Sequence, residues 1–82
     1  MIKTTLSIDG MMCSMCEAHI NDAIRNHFDV KKVTSSHRKG ECVILSEHAI
    51  NQDEVAKVIE ETGYELLSVN QEEAKEKRFL FF

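Results

Sequence analysis

The hydrophobic period of the chain switches between two and 3.6 residues in a set order, and this order restricts the fold more than any other feature. In residues 2–8, Ile2, Leu6 and Ile8 fall on one face and Lys3, Thr5 and Ser7 on the other, as in a half-buried strand. After Asp9-Gly10, Ser14 and Glu17 stand three apart like a capping box. Cys16, Ile20, Ala23, Ile24 and Phe28 then recur at helical spacing, which predicts a helix over residues 15–27. Residues 30–36 and 41–46 flank the turn pair Lys39-Gly40 and read as a β-hairpin. Asn51 with Glu54 forms a second cap. Val55, Val58, Ile59 and Thr62 keep the 3.6 period, and Gly63 is placed to stop a helix over residues 52–62. Residues 64–69 are long enough for one last strand.

The order β-α-β-β-α-β matches the ferredoxin-like split βαβ arrangement, an α+β fold with a four-stranded antiparallel sheet and two helices on one face. A chain of 82 residues, 43% of them hydrophobic, can build one modest core. The predicted domain covers residues 1–69. Residues 70–82 form a tail, densely charged over 71–78 and ending Phe79-Leu80-Phe81-Phe82, with Glu73 and Lys77 spaced to pair on a short helix after Asn70. No apolar run approaches the ~18 residues of a membrane-spanning helix, and no signal-peptide pattern opens the sequence, so the expected compartment is the cytoplasm. A net charge of -4 argues against nucleic acid as a partner, and His37-Arg38-Lys39 reads as a solvated turn.

Three cysteines, two of them nearly adjacent, point away from a disulfide framework and towards a metal or redox pair plus one spare thiol. The segment Gly10-Met11-Met12-Cys13-Ser14-Met15-Cys16 sits where the first strand turns into the first helix. Cys13 falls in the loop and Cys16 in the first helical turn, where free N–H groups and the helix dipole favour thiolate over thiol. Two sulfurs suit Cu(I), whereas structural zinc wants four protein ligands and no second Cys/His pair follows. Cu(I) is therefore the expected cargo, with Zn(II) or another soft metal as the alternative. His19, a helical turn beyond Cys16, is either a third ligand or an exposed histidine. Met12 and Met15 either add soft thioethers to the site or serve as apolar filler or partner contacts. Cys42 reads as a buried small hydrophobe.

The motif, the helix behind it and the Thr62-Gly63-Tyr64 ending of the second helix resemble the heavy-metal-associated domain family, over about residues 2–69. This family comprises the copper chaperones and the metal-binding modules of heavy-metal P-type ATPases. The resemblance implies that Cys13 and Cys16 bind the metal, that Met11 anchors the loop from the core, and that Tyr64 neighbours the site in the manner of bacterial chaperones. It further implies a metallochaperone-like protein, not an enzyme, that passes its ion by ligand exchange to a heavy-metal-transporting ATPase or another metal-handling protein. Met12 stands where copper modules often carry Thr and zinc or cadmium modules Asp, and Phe28-Asp29-Val30 replaces the usual Pro-Gly-Val. Two other readings differ in class. A thiol-disulfide protein also places CxxC at a helix start, but the chain has no proline and so lacks the cis-proline of thioredoxin-like enzymes. A regulatory interaction module would bind metal weakly and dock through its tail.

The run Cys42-Val43-Ile44-Leu45 is continuously apolar, and such a strand is expected to be covered on both faces. The aromatic tail, a second copy of the chain in a homodimer, or a transport partner could cover the outer sheet face; the run could also be incidental.

Overall fold

The computed structural model describes residues 1–73 and gives β1 (Ile2–Asp9), α1 (Ser14–His27), β2 (Lys32–Ser36), β3 (Glu41–Ser46), α2 (Gln52–Thr62) and β4 (Glu65–Glu73). This is the βαββαβ order expected from the hydrophobic periods. The sheet order is β2-β3-β1-β4 with every pairing antiparallel. Both helices lie on one face, α1 over β2 and α2 over β4, and they pack against each other.

Alternation along the strands sends Leu6, Ile8, Val33, Cys42 and Ile44 to the helix side. There they meet Ile20 and Ile24 of α1 and Val55, Val58 and Ile59 of α2, all buried. Helix α2 follows its sequence signals closely. Asn51 accepts the Glu54 N–H at 3.0 Å, and Gly63, at φ 100°, ends the helix with its own N–H on the Glu60 carbonyl at 3.0 Å and that of Tyr64 on Ile59 at 3.1 Å.

Four expectations need correction. The N-cap of α1 is Cys13, and no side chain caps it; Ser14 is the first helical residue. Glu17 instead turns outward to the β2–β3 connection. There its carboxylate accepts the His37 backbone N–H at 2.8 Å and lies 2.7 Å from His37 Nδ1. His37 is thus half-buried, not part of a fully solvated turn. Strand β2 begins at Lys32, because residues 28–30 cross the end of the fold with Phe28 and Val30 packed against the core.

Strand β4 continues to Glu73, where a helix after Asn70 was expected. Central β1 has a partner position for each of Asn70, Gln71, Glu72 and Glu73, from Thr5 back to Ile2. Gln71 also donates from Nε2 to the Ile50 carbonyl at 2.6 Å. Residues 70–73, assigned to the tail, therefore belong to the sheet. The expectations placed on residues 74–82 lie outside the described residues.

The apolar run in β3 has a local explanation. Cys42 and Ile44 are buried, while Val43 and Leu45 are half-buried on the outer face. Val43 sits between Thr5 and Thr34, and Leu45 between Lys3 and Lys32. These flanking residues on both neighbouring strands account for the partial burial of Val43 and Leu45.

Candidate metal centre

The motif occupies the tight connection from β1 to α1. Gly10 takes φ 99°, and a Cβ there would stand 3.4 Å from Tyr64 Cδ1, so glycine lets the chain turn under the tyrosine ring. Met11 is 6% exposed and belongs to the core, which fixes the loop from below. The backbone then rises into the open. Cys13 is exposed and extended, at φ -157° and ψ 174°, and its carbonyl accepts the N–H of Cys16 at 3.0 Å and of Glu17 at 3.3 Å.

This turn brings the Cys13 and Cys16 sulfurs to 3.6 Å. That separation exceeds the ~2.05 Å of a disulfide bond, yet one ion at a thiolate bonding distance of about 2.3 Å could touch both. The donor set therefore fits a single soft ion. Cys16 is half-buried, and its thiol is held down at about 7. The Tyr64 hydroxyl beside it contributes most and the Met12 backbone N–H next, against the opposing effect of desolvation. The phenol responds in the opposite sense: its hydrogen bond to Cys16 and its desolvation push Tyr64 up to about 12, so it remains a donor throughout the physiological range. Cys42 lies in β3 with its thiol pushed up by burial, away from the dithiol chemistry.

Met12 and Met15 are 83% and 68% exposed, which excludes a role as core filler. His19 is exposed one turn further along α1. Among the described residues no group of three or more His, Cys, Asp or Glu side chains could hold a metal ion, so His19 does not join the two cysteines in such a group. The Glu17–His37 link was missed in the sequence because its partners are twenty residues apart. It ties the first turn of α1, directly after Cys16, to the β2–β3 connection and holds the Glu17 carboxyl below its ordinary range.

The role of Tyr64 can be read from a titration of the metal-free, reduced protein. Thiolate absorbance should reveal one thiol with a midpoint near 7, deprotonated above and protonated below. Tyr64→Phe removes the hydroxyl donor to the charged form, so the midpoint should move up, by about one unit if the hydrogen bond contributes about 1.4 kcal/mol. An unchanged midpoint would show that the phenol does not support the thiolate.

A family model described as heavy-metal-associated domain matches residues 5–65. The chain is 34% identical over 65 residues to a mercuric reductase of Lysinibacillus sphaericus, covering 79% of this chain and 12% of that protein. It is 33% identical over 76 residues to a copper-transporting ATPase of Helicobacter pylori, covering 92% of this chain and 10% of the ATPase. It therefore spans only about a tenth of either large relative. With the copper chaperone CopZ of Enterococcus hirae it shares 32% identity over 65 residues, covering 78% of this chain and 94% of the chaperone. Among solved structures, the yeast copper transporter domain CCC2A superposes with a TM-score of 0.71 and 28% identity, covering 83% of this chain and 97% of that domain. No helix among the described residues is long and apolar enough to cross a membrane.

Proposed function

This chain belongs to the heavy-metal-associated domain family, and from that membership we propose that it is a Cu(I)-carrying protein that holds one ion between Cys13 and Cys16 and passes it on by ligand exchange. The observation that carries the proposal is the pair of sulfurs 3.6 Å apart at the exposed end of the fold, one of them with its thiol held down at about 7. At neutral pH much of Cys16 is already thiolate, so Cys16 gives up less than a full proton when the ion binds.

The two sulfurs differ in a way that suits hand-over. Cys16 is half-buried beside Tyr64, whereas Cys13 is exposed at the rim. An incoming thiolate can approach on the Cys13 side while Cys16 retains the ion, so that transfer proceeds through a shared coordination state without releasing free metal. Met12 and Met15 flank this rim as an apolar, polarizable contact surface. The similarity to a copper-transporting ATPase and to CopZ makes a metal-handling protein with its own exposed thiols the proposed partner, and a reducing compartment such as the cytoplasm its setting. In this role the protein is a carrier and turns over no substrate.

The similarity to a mercuric reductase supports a second cargo, Hg(II), for which a dithiolate is equally suitable. The metal content of the protein isolated from cells supplied with traces of copper, zinc and mercury would tell these cargoes apart. Transfer itself is tested by mixing the Cu(I)-loaded protein with a metal-free dithiol acceptor in the presence of a chelator that scavenges free Cu(I). The ion should reach the acceptor at a rate that rises with acceptor concentration and does not depend on the chelator. A rate set by spontaneous release into the chelator would contradict ligand exchange.

A further inference from the structure

Both stems of the metal loop are held by the connection between β2 and β3, residues 37–40. On the strand side, the Ile8 N–H donates to the Gly40 carbonyl at 2.7 Å, two residues before Gly10 opens the loop. On the helix side, Oε2 of Glu17 accepts the His37 N–H at 2.8 Å and lies 2.7 Å from His37 Nδ1. A carboxylate only accepts, so Nδ1 carries the hydrogen in this contact. The Glu17 and His37 side chains are 25% and 33% exposed, so the charge-assisted bonds between them are partly shielded from water.

We propose, resting on Cys13 and Cys16 as the Cu(I) ligands, that Glu17 is a positioning residue: by clamping the first turn of α1 to residues 37–40 it fixes Cys16 against Cys13 before the ion arrives. The backbone of that turn is weakly secured from within. No side chain caps α1, and the amides of Cys16 and Glu17 share one acceptor, the Cys13 carbonyl, at 3.0 and 3.3 Å. A first turn without a cap frays, and an ion that binds a frayed turn loses part of its binding free energy to ordering it. The Glu17 carboxylate supplies the missing anchor from the turn's own sequence, one residue after the ligand. With the Ile8 bond on the other stem, the loop is stretched between two points of the same connection, which sets where its two sulfurs stand.

Glu17 is the metal-side end of a longer polar seam. Asn21, one helical turn further along α1, accepts the Ser35 hydroxyl at 2.6 Å, and Ser35 stands two residues before His37. Asn21 therefore joins the same helix to the same hairpin, but five residues beyond Cys16. Its loss weakens the packing of α1 on β2 and leaves the first turn clamped. The two links thus separate a positioning role from general support of the helix.

The full-length wild type, Glu17→Ala, Glu17→Gln and Asn21→Ala test this together. Competition with a chelator gives the Cu(I) affinity, and amide relaxation of the isotope-labelled, metal-free, reduced proteins gives the backbone order of residues 14–17. In Glu17→Ala the affinity should fall about tenfold, the size of one lost charge-assisted hydrogen bond, and the order parameters of that turn should drop from about 0.85 towards about 0.6. Glutamine keeps an acceptor of the same length for the His37 N–H, so Glu17→Gln should stay within about threefold of the wild type and keep the turn ordered. Asn21→Ala should lower the midpoint of thermal unfolding while affinity stays within about twofold and the turn stays ordered. Unchanged affinity and order in Glu17→Ala would overturn the proposal. So would an equal loss of affinity in Asn21→Ala, which would make helix support in general responsible, or a Glu17→Gln no better than Glu17→Ala, which would make the charge responsible. A wild type that binds no Cu(I) would instead overturn the proposed function, and relaxation of the metal-free proteins would still decide whether Glu17 holds the turn.

Discussion

Replacing either Cys13 or Cys16 by serine should reduce Cu(I) affinity by about a thousandfold or more, a loss of roughly 4 kcal/mol at 1.4 kcal/mol per tenfold change. Each substitution leaves one thiolate where two lay 3.6 Å apart, and among the described residues no group of three or more ligating side chains stands ready to replace it. A serine hydroxyl is a hard, protonated donor at neutral pH and a poor substitute for a soft thiolate. Cys42→Ser is the control. That thiol is buried in β3, so its loss should lower stability modestly and leave affinity within about twofold, because a core polar substitution acts on folding and not on the loop. Competition against a Cu(I) chelator of known affinity, with circular dichroism to verify folding, measures all three variants. A site that survives loss of Cys16 would place the ligands elsewhere.

Ile24→Ala should have the largest effect on stability. Ile24 is fully buried where α1 meets the sheet, and its own carbonyl accepts the N–H of Phe28 at 2.9 Å at the helix end. Removing three carbons leaves a cavity that the surrounding β-branched side chains cannot fill without leaving their rotamers, at a cost of about 3 to 4 kcal/mol. For a domain of this size the total is of order 4 to 12 kcal/mol, so the midpoint of thermal unfolding should fall by roughly 15 to 25 °C. Glu60→Ala, on the exposed face of α2, should change it little. A comparable loss in both variants would mean that helix content, and not core packing, limits stability.

Much of this architecture could be read from local signals. The switch of hydrophobic period located all six elements, because one buried face per element imposes the pattern that the residues display. Asn51 and Gly63 bounded α2 because the groups they satisfy lie within three or four residues of them. The cysteine motif was also local, since the turn that joins Cys13 to Cys16 is set by its own backbone and by Gly10. What escaped depends on partners distant in sequence. Glu17 looked like half of a capping box because its partner, His37, is brought to it only by the hairpin. The length of β4 was set by the free positions on β1, which the polar residues Asn70, Gln71, Glu72 and Glu73 do not announce. Val43 and Leu45 suggested a covered outer face, and their partial burial follows from the register that places them between residues of the two neighbouring strands. The closeness of Tyr64 to Cys16 came from the family resemblance alone, and no spacing in this sequence discloses it.

The central claim, that this dithiol selects a soft, low-coordinate ion, is tested most directly by titrating the reduced protein with Cu(I) and Zn(II) in competition, each against a matched chelator. Two thiolates complete a Cu(I) site but leave zinc at half of its usual four protein ligands. The account predicts one Cu(I) retained per chain and Zn(II) surrendered to its chelator under the same conditions; zinc held as tightly as copper, or more tightly, would contradict it.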